Sequence, residues 1–495
     1  MKTFFILCLM YSSLLQAQII KPDHDIAMAI NFERKPDPSK QNLLALQGYG
    51  FANDKPPSKH PFIDSIKANR KYPAWAPVLS IIESSVVLWG LDRYIFVEPT
   101  AKIGINTWKN NLKYEWQWGR NKFGESFFLN MVTGASYFNC PRPMGYDFYQ
   151  SIPYTVGGSL LWVYFGQSYR PTYNDIIFMP VNGVFFGEIQ YRLSSDILDE
   201  RSRGFERVMR ETGAFIIDPG RGVTRFWQGK MFNVTRSDYY EKEPMNFAVE
   251  AGTDRINDGI KLGTGQIREM LRVSFDYGNP FEVKDREIMD YFKTNFQFRD
   301  KSGNNWLVNA SEYGLLYGKN SQAGKKDVLT GFFQYYDFID NSLYDLSAMA
   351  LGGGVLMRSA LGKKAIFRMN FHVGGIPFGG VSKTFGFDTA RFREYNVGGG
   401  LESKIECKVK VGKWLTPELN GSYYWIHTYR GTPGNYLTGI INPRLSLSFI
   451  KNTALGVEYL IYYNNKLKTG TPNVNFQNSE GMAFVSYRIN CCETK

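Results

Sequence analysis

Apolar and polar positions alternate along the C-terminal half of the chain, between about Pro244 and Asn490. The alternation is clearest in Leu401–Val411, where charged residues occupy every second position. Asn452–Tyr463 and Gly481–Asn490 repeat it less strictly. Successive side chains of a strand point to opposite faces, whereas a helix would scatter these charges around its circumference. The period of two therefore predicts β-strands.

About a dozen such segments, separated by turn residues, predict a membrane all-β fold. We expect an antiparallel transmembrane β-barrel of about 12 strands, apolar outside and polar inside. A large soluble antiparallel barrel or sandwich is the alternative. Charged positions expected to face the lumen are Glu402, Lys404, Glu406, Lys408, Lys410, Arg444, Glu458 and Arg488. Phe484 and Tyr462 point the same way, and because about twelve strands enclose a narrow lumen, we do not expect a freely open pore.

The connections between these segments alternate in length. Short ones lie near Ala360–Lys363, Gly412–Trp414 and Lys451–Asn452. Longer ones, rich in Gly, Asn, Pro and Lys, lie near Gly375–Arg391, Thr428–Tyr436 and Asn465–Glu480. Outer-membrane barrels have short periplasmic turns and longer outer loops. The alternation therefore predicts that the C-terminus and the start of the first strand lie on the periplasmic side.

The start of the chain predicts export. Met1–Ala17 contains Lys2 and the apolar run Phe4–Leu15, typical of a cleaved signal peptide and too short for a membrane helix. Residues 18–71 follow as an extended leader, a plain linker or a tether for a partner. No later run of about eighteen uncharged apolar residues is present, so we expect no helical anchor in an inner membrane. An exported, strand-rich chain of this kind is expected in the cell outer membrane of a Gram-negative bacterium.

Residues 72–230 lack the alternation and predict a helical domain, periplasmic or partly plugging the barrel, which occupies residues 231–495. The segments expected to form buried helices are Pro77–Leu91, Thr107–Arg120, Phe123–Phe138, Asp147–Gly166 and Tyr173–Ser194. Ser195–Thr212 predicts a charged helix. Gly183-x-x-x-Gly187 and Gly157-Gly158-Ser159 place small residues where helices can approach closely.

Composition agrees with a barrel. The 31 Tyr, 37 Phe and 10 Trp suit aromatic girdles at both bilayer interfaces. The net charge of +12 raises nucleic acid as a partner, but Lys and Arg form no dense run and an exported chain rarely meets nucleic acid. Outer-membrane lipid and other envelope proteins are the expected partners. The five Cys and four His show no metal-ligand spacing, so we expect no metal and no cofactor.

The helical region also carries a family resemblance. Its residues are Asn130-(x)3-Gly134-x-x-Tyr137, Arg142-x-x-Gly145, Ser151, Ser159-x-x-Trp162-x-Tyr164, Pro171-Thr172-x-x-Asp175 and Pro180-x-x-Gly183-x-x-x-Gly187-Glu188. Their order and spacing resemble an uncharacterised family of signal-bearing Gram-negative proteins, defined as a domain of unknown function and predicted to lie in the outer membrane. Residues similar to the closing motif of that family are Asp218-Pro219, Arg221, Arg225 and Gly229.

The resemblance covers Thr107–Lys230 and, more loosely, the barrel. It implies location and architecture but no established activity. Met131-Val132 stands where a His-Pro pair is expected in the family, so no acid–base role of that His is carried over.

Polar residues in or beside the apolar segments are the candidates for chemistry: Glu83, Asn130, Arg142, Ser159, Asp175 and Glu188. Ionisable groups in apolar surroundings must be paired or are functional candidates. Ser159, Asp175 and Glu188 are the candidate catalytic residues of a lipid-modifying enzyme. However, no nucleophile elbow is visible, Asp175 and Glu188 would lie on roughly opposite faces of one helix, and Pro180 is expected to interrupt it. A structural ion pair of Arg142 with Asp175 or Glu188 is the favoured interpretation.

These observations support three hypotheses. The favoured one is a non-enzymatic outer-membrane barrel for passage of a solute or lipid, or for envelope assembly or organisation. The second is an outer-membrane hydrolase or acyltransferase that modifies lipid with polar residues of the helical domain. The third is an accessory subunit of a barrel-assembly or export complex that docks through the helical domain.

Overall fold

The computed structural model describes residues 72–119, 123–235, 242–261, 263–299, 307–324, 326–341, 343–362, 364–382, 395–468 and 473–491. The predicted signal peptide and leader lie outside these residues. The α-helices of the described part are α1 Trp75–Tyr94, α2 Ile105–Lys113, α3 Asn130–Phe138, α4 Phe148–Leu161, α5 Tyr173–Ile197, α6 Gly204–Ile217 and α7 Pro219–Trp227. π-helical turns precede α3 at Glu125–Leu129 and follow α4 at Trp162–Gly166.

Twelve antiparallel strands follow and close into one barrel, because the first pairs with the last. They are β1 Met245–Asp258, β2 Ile267–Tyr277, β3 Phe292–Arg299, β4 Leu307–Ala323, β5 Lys326–Asp340, β6 Asp345–Leu361, β7 Ala365–Ser382, β8 Tyr395–Val411, β9 Leu415–Arg430, β10 Gly434–Ile450, β11 Thr453–Lys468 and β12 Val474–Cys491. The predicted barrel and its strand number are confirmed.

Contacts across the lumen identify the inner face of the wall. Arg272 of β2 binds Glu458 of β11, and Lys293 of β3 binds Glu406 of β8, although neither pair lies on adjacent strands. These side chains therefore point inward. The alternate positions of β8 point outward, where Leu401 is 51% exposed. The period of two thus separates a polar inner face from an apolar outer face.

The two ends of the barrel differ in their connections. At one end, here called the turn end, β1 begins and β12 ends, and two or three residues separate β4 from β5, β6 from β7, β8 from β9 and β10 from β11. The connection between β2 and β3 at this end is longer and covers residues 278–291. The opposite end is called the loop end. All three predicted long loops there are wrong in extent. Gly375–Ser382 continues β7, only residues 431–433 separate β9 from β10, and the predicted loop Asn465–Glu480 lies mostly in β11 and β12, which end at Lys468 and begin at Val474. Backbone pairing needs no apolar side chain, so a strand can continue beyond its alternating part.

The described helices pack against the outer face of the barrel. Phe178 of α5 lies 6.1 Å from Tyr336 and 5.8 Å from Phe378, measured between ring centroids. Tyr336 neighbours the inward-facing Asp337 on β5, so its own side chain points outward. Partial plugging of the lumen, one of the two predicted placements, is therefore wrong for the described helices. The periplasmic placement stays a prediction.

Helix α5 runs along the full height of the wall. At the loop end Asn174 Nδ2 donates to the Tyr395 hydroxyl at the start of β8, at 3.0 Å. At the turn end Arg192 Nη2 donates to the carbonyl of Ile288 between β2 and β3, at 2.7 Å. The helix is continuous through Pro180, contrary to prediction, because packing on both sides outweighs the one backbone bond that proline removes. The predicted helix Ser195–Thr212 instead breaks after α5, and α6 begins anew.

Candidate functional site

A network of charged side chains, here called the first brace, crosses the lumen where β1 meets β12. Arg272 donates to Glu458 at 2.7 Å and to Glu250 at 3.1 Å, and Arg444 also binds Glu250. Arg272 and both acids are at most 6% exposed. Because a buried charge is costly without a partner, each charge in this network stabilises its neighbours. The network holds β2 to β11 across the β1–β12 pair.

A second brace lies nearer the loop end. Arg299 of β3 binds Asp254 of β1 and Glu480 of β12, and the Tyr462 hydroxyl donates to Glu480 at 2.6 Å. One guanidinium therefore serves two acids, a geometry that its fork of donors permits. Arg299, Asp254 and Glu480 are 6%, 1% and 1% exposed, so water has little access to this contact.

The opposite wall carries a third group of polar contacts. Glu406 of β8 accepts from Lys293 at 2.8 Å, from Asn370 at 2.8 Å and from the Tyr313 hydroxyl at 3.2 Å. These donors come from β3, β7 and β4. The carboxylate thus joins four strands through the interior. Its neighbour two positions away, Lys404, binds Asp337 and Glu402 at 2.5 and 3.5 Å.

Aromatic and aliphatic side chains fill the lumen between these networks and the loop end. Each of the following is at most 5% exposed: Tyr344, Ile376, Tyr424, Ile426, Tyr436 and Tyr462. Close packing of this kind leaves no room for a solute unless side chains move. The described lumen is therefore packed on the loop side and not an open channel.

At the turn end, Leu329 and Leu356 pack with Phe281 of the β2–β3 connection on one side of the lumen, whereas the other side is charged. Inward-facing cations line it on β7, β8 and β12, namely Arg368, Lys408, Lys410 and Arg488. Arg368 and Lys410 are exposed, in contrast to the buried charges deeper in the lumen. We call this set the cationic mouth.

The register makes the cationic mouth electrostatically unfavourable by itself. Arg368 lies directly opposite Lys408 on one side and Arg358 on the other. Lys408 has Glu418 at 2.7 Å and Arg358 has Asp327, but Arg368 has no ion-pair partner among the described residues. Like charges on facing positions destabilise a sheet. Asp276 on the inner face of β2 attracts Arg368 and Lys408 and offsets part of this repulsion, and Arg368 is the position where a bound anion would relieve the rest.

All charged residues predicted for the lumen lie on the inward face in the structure, and so do Phe484 and Tyr462. Sequence reasoning missed several members of the two braces: Glu250, Asp254, Arg272, Arg299 and Glu480. A signal was present in β1 and β2, where charged residues recur at even spacing within mixed sequence. The partners across the lumen have no local signal, because strands far apart in sequence contribute them.

In the helical layer, Asp175 is held by hydrogen bonds rather than by an arginine. Asn130 Nδ2 donates to it at 2.7 Å and Gln167 Nε2 at 3.3 Å, while Thr172 Oγ1 accepts from its backbone N–H at 3.1 Å. Asp175 is 2% exposed at the start of α5. The family-motif residues Asn130 and Asp175 thus join the π-helical start of α3 to α5. Sequence reasoning had not linked these two.

Glu188 forms the ion pair that the sequence predicts with Arg142. Arg142 Nη2 donates to Glu188 Oε1 at 2.9 Å, and Arg192, one turn further along α5, donates to the same oxygen at 2.9 Å. The guanidinium of Arg142 lies 4.3 Å above the Tyr191 ring, and that of Arg221 lies 4.5 Å from the same ring. Pairing and stacking account for the polar atoms of this site without a substrate.

Small residues of the family motif bring α3 and α5 into contact. A Cβ added at Gly134 would lie 2.1 Å from the carbonyl oxygen of Met179, and one at Gly183 would lie 2.4 Å from the carbonyl carbon of Gly134. A Cβ at Gly187 would lie 2.8 Å from the Phe138 ring. Gly145 has a φ of +88°, a backbone conformation that favours glycine, and Trp162 is 9% exposed in the packed interior. These motif residues therefore serve packing.

Ser159 lacks the surroundings of a nucleophile. Its side chain is 1% exposed, and its hydroxyl has no hydrogen-bond partner among the described residues. No contact joins it to Asp175 or Glu188, which are engaged elsewhere. A serine nucleophile needs a base within hydrogen-bond reach. The arrangement of the described residues therefore gives no support to a hydrolase or acyltransferase.

The closing motif forms a buried polar cluster beneath the helices. Asp218 caps α7 by accepting from the Arg221 backbone N–H at 2.9 Å. Arg225 donates to Glu200 and to Glu211, each at 2.7 Å. No group of three metal-ligating side chains is found in the described ranges.

Comparisons with known proteins add one family and a set of barrels. Residues 115–220 match the family described as Domain of unknown function (DUF3943), which confirms the resemblance and covers less than half of the chain. No curated protein matches the chain.

Solved structures similar to the chain include two porins and one channel by name. The NanC porin is 9% identical with a TM-score of 0.28, over 49% of this chain and 100% of that one. The KdgM porin is 10% identical with a TM-score of 0.24, over 48% and 98%. The outer membrane channel DcaP of Acinetobacter baumannii is 9% identical with a TM-score of 0.22, over 50% and 96%. At these scores the similarity carries no argument about function.

Proposed function

We propose that this protein lies in the outer membrane and passes a small anionic solute through its barrel once the side chains that close the lumen have moved. The observation that supports this is the cationic mouth, where Arg368 faces two like charges and has no described ion-pair partner. An anion entering from the turn end, the predicted periplasmic side, would offset that repulsion.

Deeper in the lumen, further cations continue this path. Arg444, Arg272 and Arg299 follow from the mouth toward the loop end, each bound to acids. An anion would bind these arginines one after another, each time replacing the carboxylate that the arginine holds. Passage then requires rearrangement of side chains and not of the barrel wall, which stays closed by the β1–β12 pairing.

Conductance across a planar bilayer tests this proposal. We expect the purified mature protein to open rarely and with anion selectivity, read from the reversal potential in a salt gradient. Replacing Arg368 and Lys410 by Ala should shift that potential toward cation selectivity. The matched control is Lys413→Ala, which removes a positive charge from the exposed turn between β8 and β9, outside the lumen.

A second variant addresses the closed state. Arg299→Gln removes the brace to Asp254 and Glu480, and we expect more frequent openings. Silence of both the wild type and this variant, with protein demonstrably inserted, would overturn the passage proposal.

A further inference from the structure

Helix α1 turns its polar side inward and its apolar side outward, the reverse of a helix at the surface of a water-soluble protein. Its buried residues include Ser80, Ser84 and Ser85. Its exposed stripe, with residues 40–48% exposed, is Trp75, Val78, Ile82 and Val86. Among the described helices α1 is also the one whose length and composition would allow it to cross a membrane. The sequence expectation rests on a run of uncharged residues, and Glu83 interrupts such a run in α1.

Helix α4 has the same inverted arrangement. Ser151, Thr155 and Ser159 recur every four residues on its buried face, whereas Tyr149 and Val156 are 68% and 41% exposed. No Asp, Glu, Lys or Arg occurs from the start of α4 to the end of the π-helical turn that follows it. A surface helix in water would place charges on its exposed face.

Helix α6 repeats the inversion at the turn end. It buries Arg207 and Glu211, which pair with each other and with Glu200 or Arg225. Its apolar residues are 40–78% exposed: Phe205, Val208, Met209, Phe215 and Ile216. In contact with water each such side chain would forfeit about 1 kcal/mol or more of burial energy. Three helices with the same inversion indicate an apolar solvent around the helical layer.

The position of the helices supplies an independent argument. They cover the outward wall of the barrel, and the uncovered part of that wall on β9–β12 exposes Trp425, Ile441, Val457, Tyr463 and Val485. α5 spans the wall from end to end and is about 37 Å long, against about 30 Å for the hydrocarbon core of a bilayer. If the barrel lies in a bilayer, helices packed on its lipid-facing wall lie at the same depth in that bilayer.

We propose that the helical layer is embedded in the same bilayer as the barrel. The exposed faces of α1 and α4 contact lipid acyl chains, and α6 lies along the interface at the turn end. This replaces the periplasmic placement predicted from the sequence. The proposal is independent of any solute that the barrel passes, but it requires the barrel to be in lipid.

Spin labels report the solvent around single positions. Full-length mature protein carrying Cys407→Ser, Cys491→Ser and Cys492→Ser keeps only the buried Cys140. Labels are then placed by Ile82→Cys, Val156→Cys and Val208→Cys. Reference labels are Val457→Cys on the outward face of β11 and Lys413→Cys in an exposed turn. Each variant is reconstituted in phosphatidylcholine vesicles, and relaxation by oxygen, which partitions into lipid, is compared with relaxation by a water-soluble nickel chelate.

We expect labels at residues 82 and 156 to match the Val457 reference, with relaxation by oxygen exceeding that by nickel severalfold, and the label at residue 208 to fall between the references. Relaxation by nickel equal to that at Lys413 would place the helices in water and overturn the proposal. Protection from both reagents would show that a protein partner or a second copy covers the surface, and would also overturn it. Accessibility of the Val457 reference to nickel would instead show that the barrel wall is not in lipid, and would contradict the proposed function as well.

Discussion

The contact between α3 and α5 allows a sharp test of how the helical layer is held together. In Gly134→Ala the new Cβ would lie 2.1 Å from the carbonyl oxygen of Met179, whereas real Cβ contacts stay beyond 3.0 Å. The helices must therefore separate by about 1 Å, and the carbonyl is backbone that cannot rotate away. Overpacking of this kind costs roughly 1–3 kcal/mol, set against about 1 kcal/mol gained from the higher helix propensity of alanine.

We expect Gly134→Ala to lower the free energy of unfolding of the helical layer by about 1–2 kcal/mol. Gly157→Ala is the matched control, because it lies on the exposed side of α4 with nothing within 4 Å and should stabilise by up to about 1 kcal/mol. Thermal unfolding in detergent, followed by far-ultraviolet circular dichroism, measures both. A Gly134→Ala protein as stable as the Gly157→Ala protein would refute the close approach of α3 and α5.

Two further predictions concern the polar contacts. Arg142→Met leaves Glu188 with Arg192 alone and should destabilise the helical layer by about 2 kcal/mol. Arg142→Lys should restore little of that stability, because lysine lacks the fork of donors. Chemical unfolding in detergent measures both variants. Tyr395→Phe removes the hydroxyl between α5 and β8 and should speed proteolytic release of the helices from an intact barrel.

The barrel was predictable because its signal is local. In β8 charged residues occupy the inner face from Glu402 to Lys410, and the outer-face residues are apolar apart from Ser403. Leu401–Val411 alone therefore predicts the strand and which of its faces points outward. The strand ends were less predictable, since Gly- and Asn-rich residues pair by backbone alone.

The position of the helices was not predictable, because no local pattern in the sequence shows which part of the outer wall they cover. Glu312 and Gln334 illustrate this. Both point outward, on the face of β4 and β5 that elsewhere carries apolar residues, yet they are 3% and 0% exposed. In the sequence they read as breaks in an alternating pattern. Only the helices packed above them explain how polar residues occupy that face.

The contacts of the candidate site were also predictable only in part. The partner of Glu188 was predictable, because the motif contains one arginine among apolar residues and a buried carboxylate requires a counter-charge. The hydrogen bonds to Asp175 depend on residues brought together by the packing of the helices, and the braces across the lumen depend on residues brought together by the closure of the barrel. No spacing in the sequence encodes those distances.

The two braces at the first and last strands have a consequence for biogenesis. Arg272 and Arg299 stand on β2 and β3, and their acids Glu458 and Glu480 stand on β11 and β12, so each bond straddles the seam between the two termini of the barrel. Neither bond can form until the hairpins made first and last have met. Once formed, the bonds hold β1 and β12 together from the lumen side, which disfavours lateral exit of a solute between these two strands.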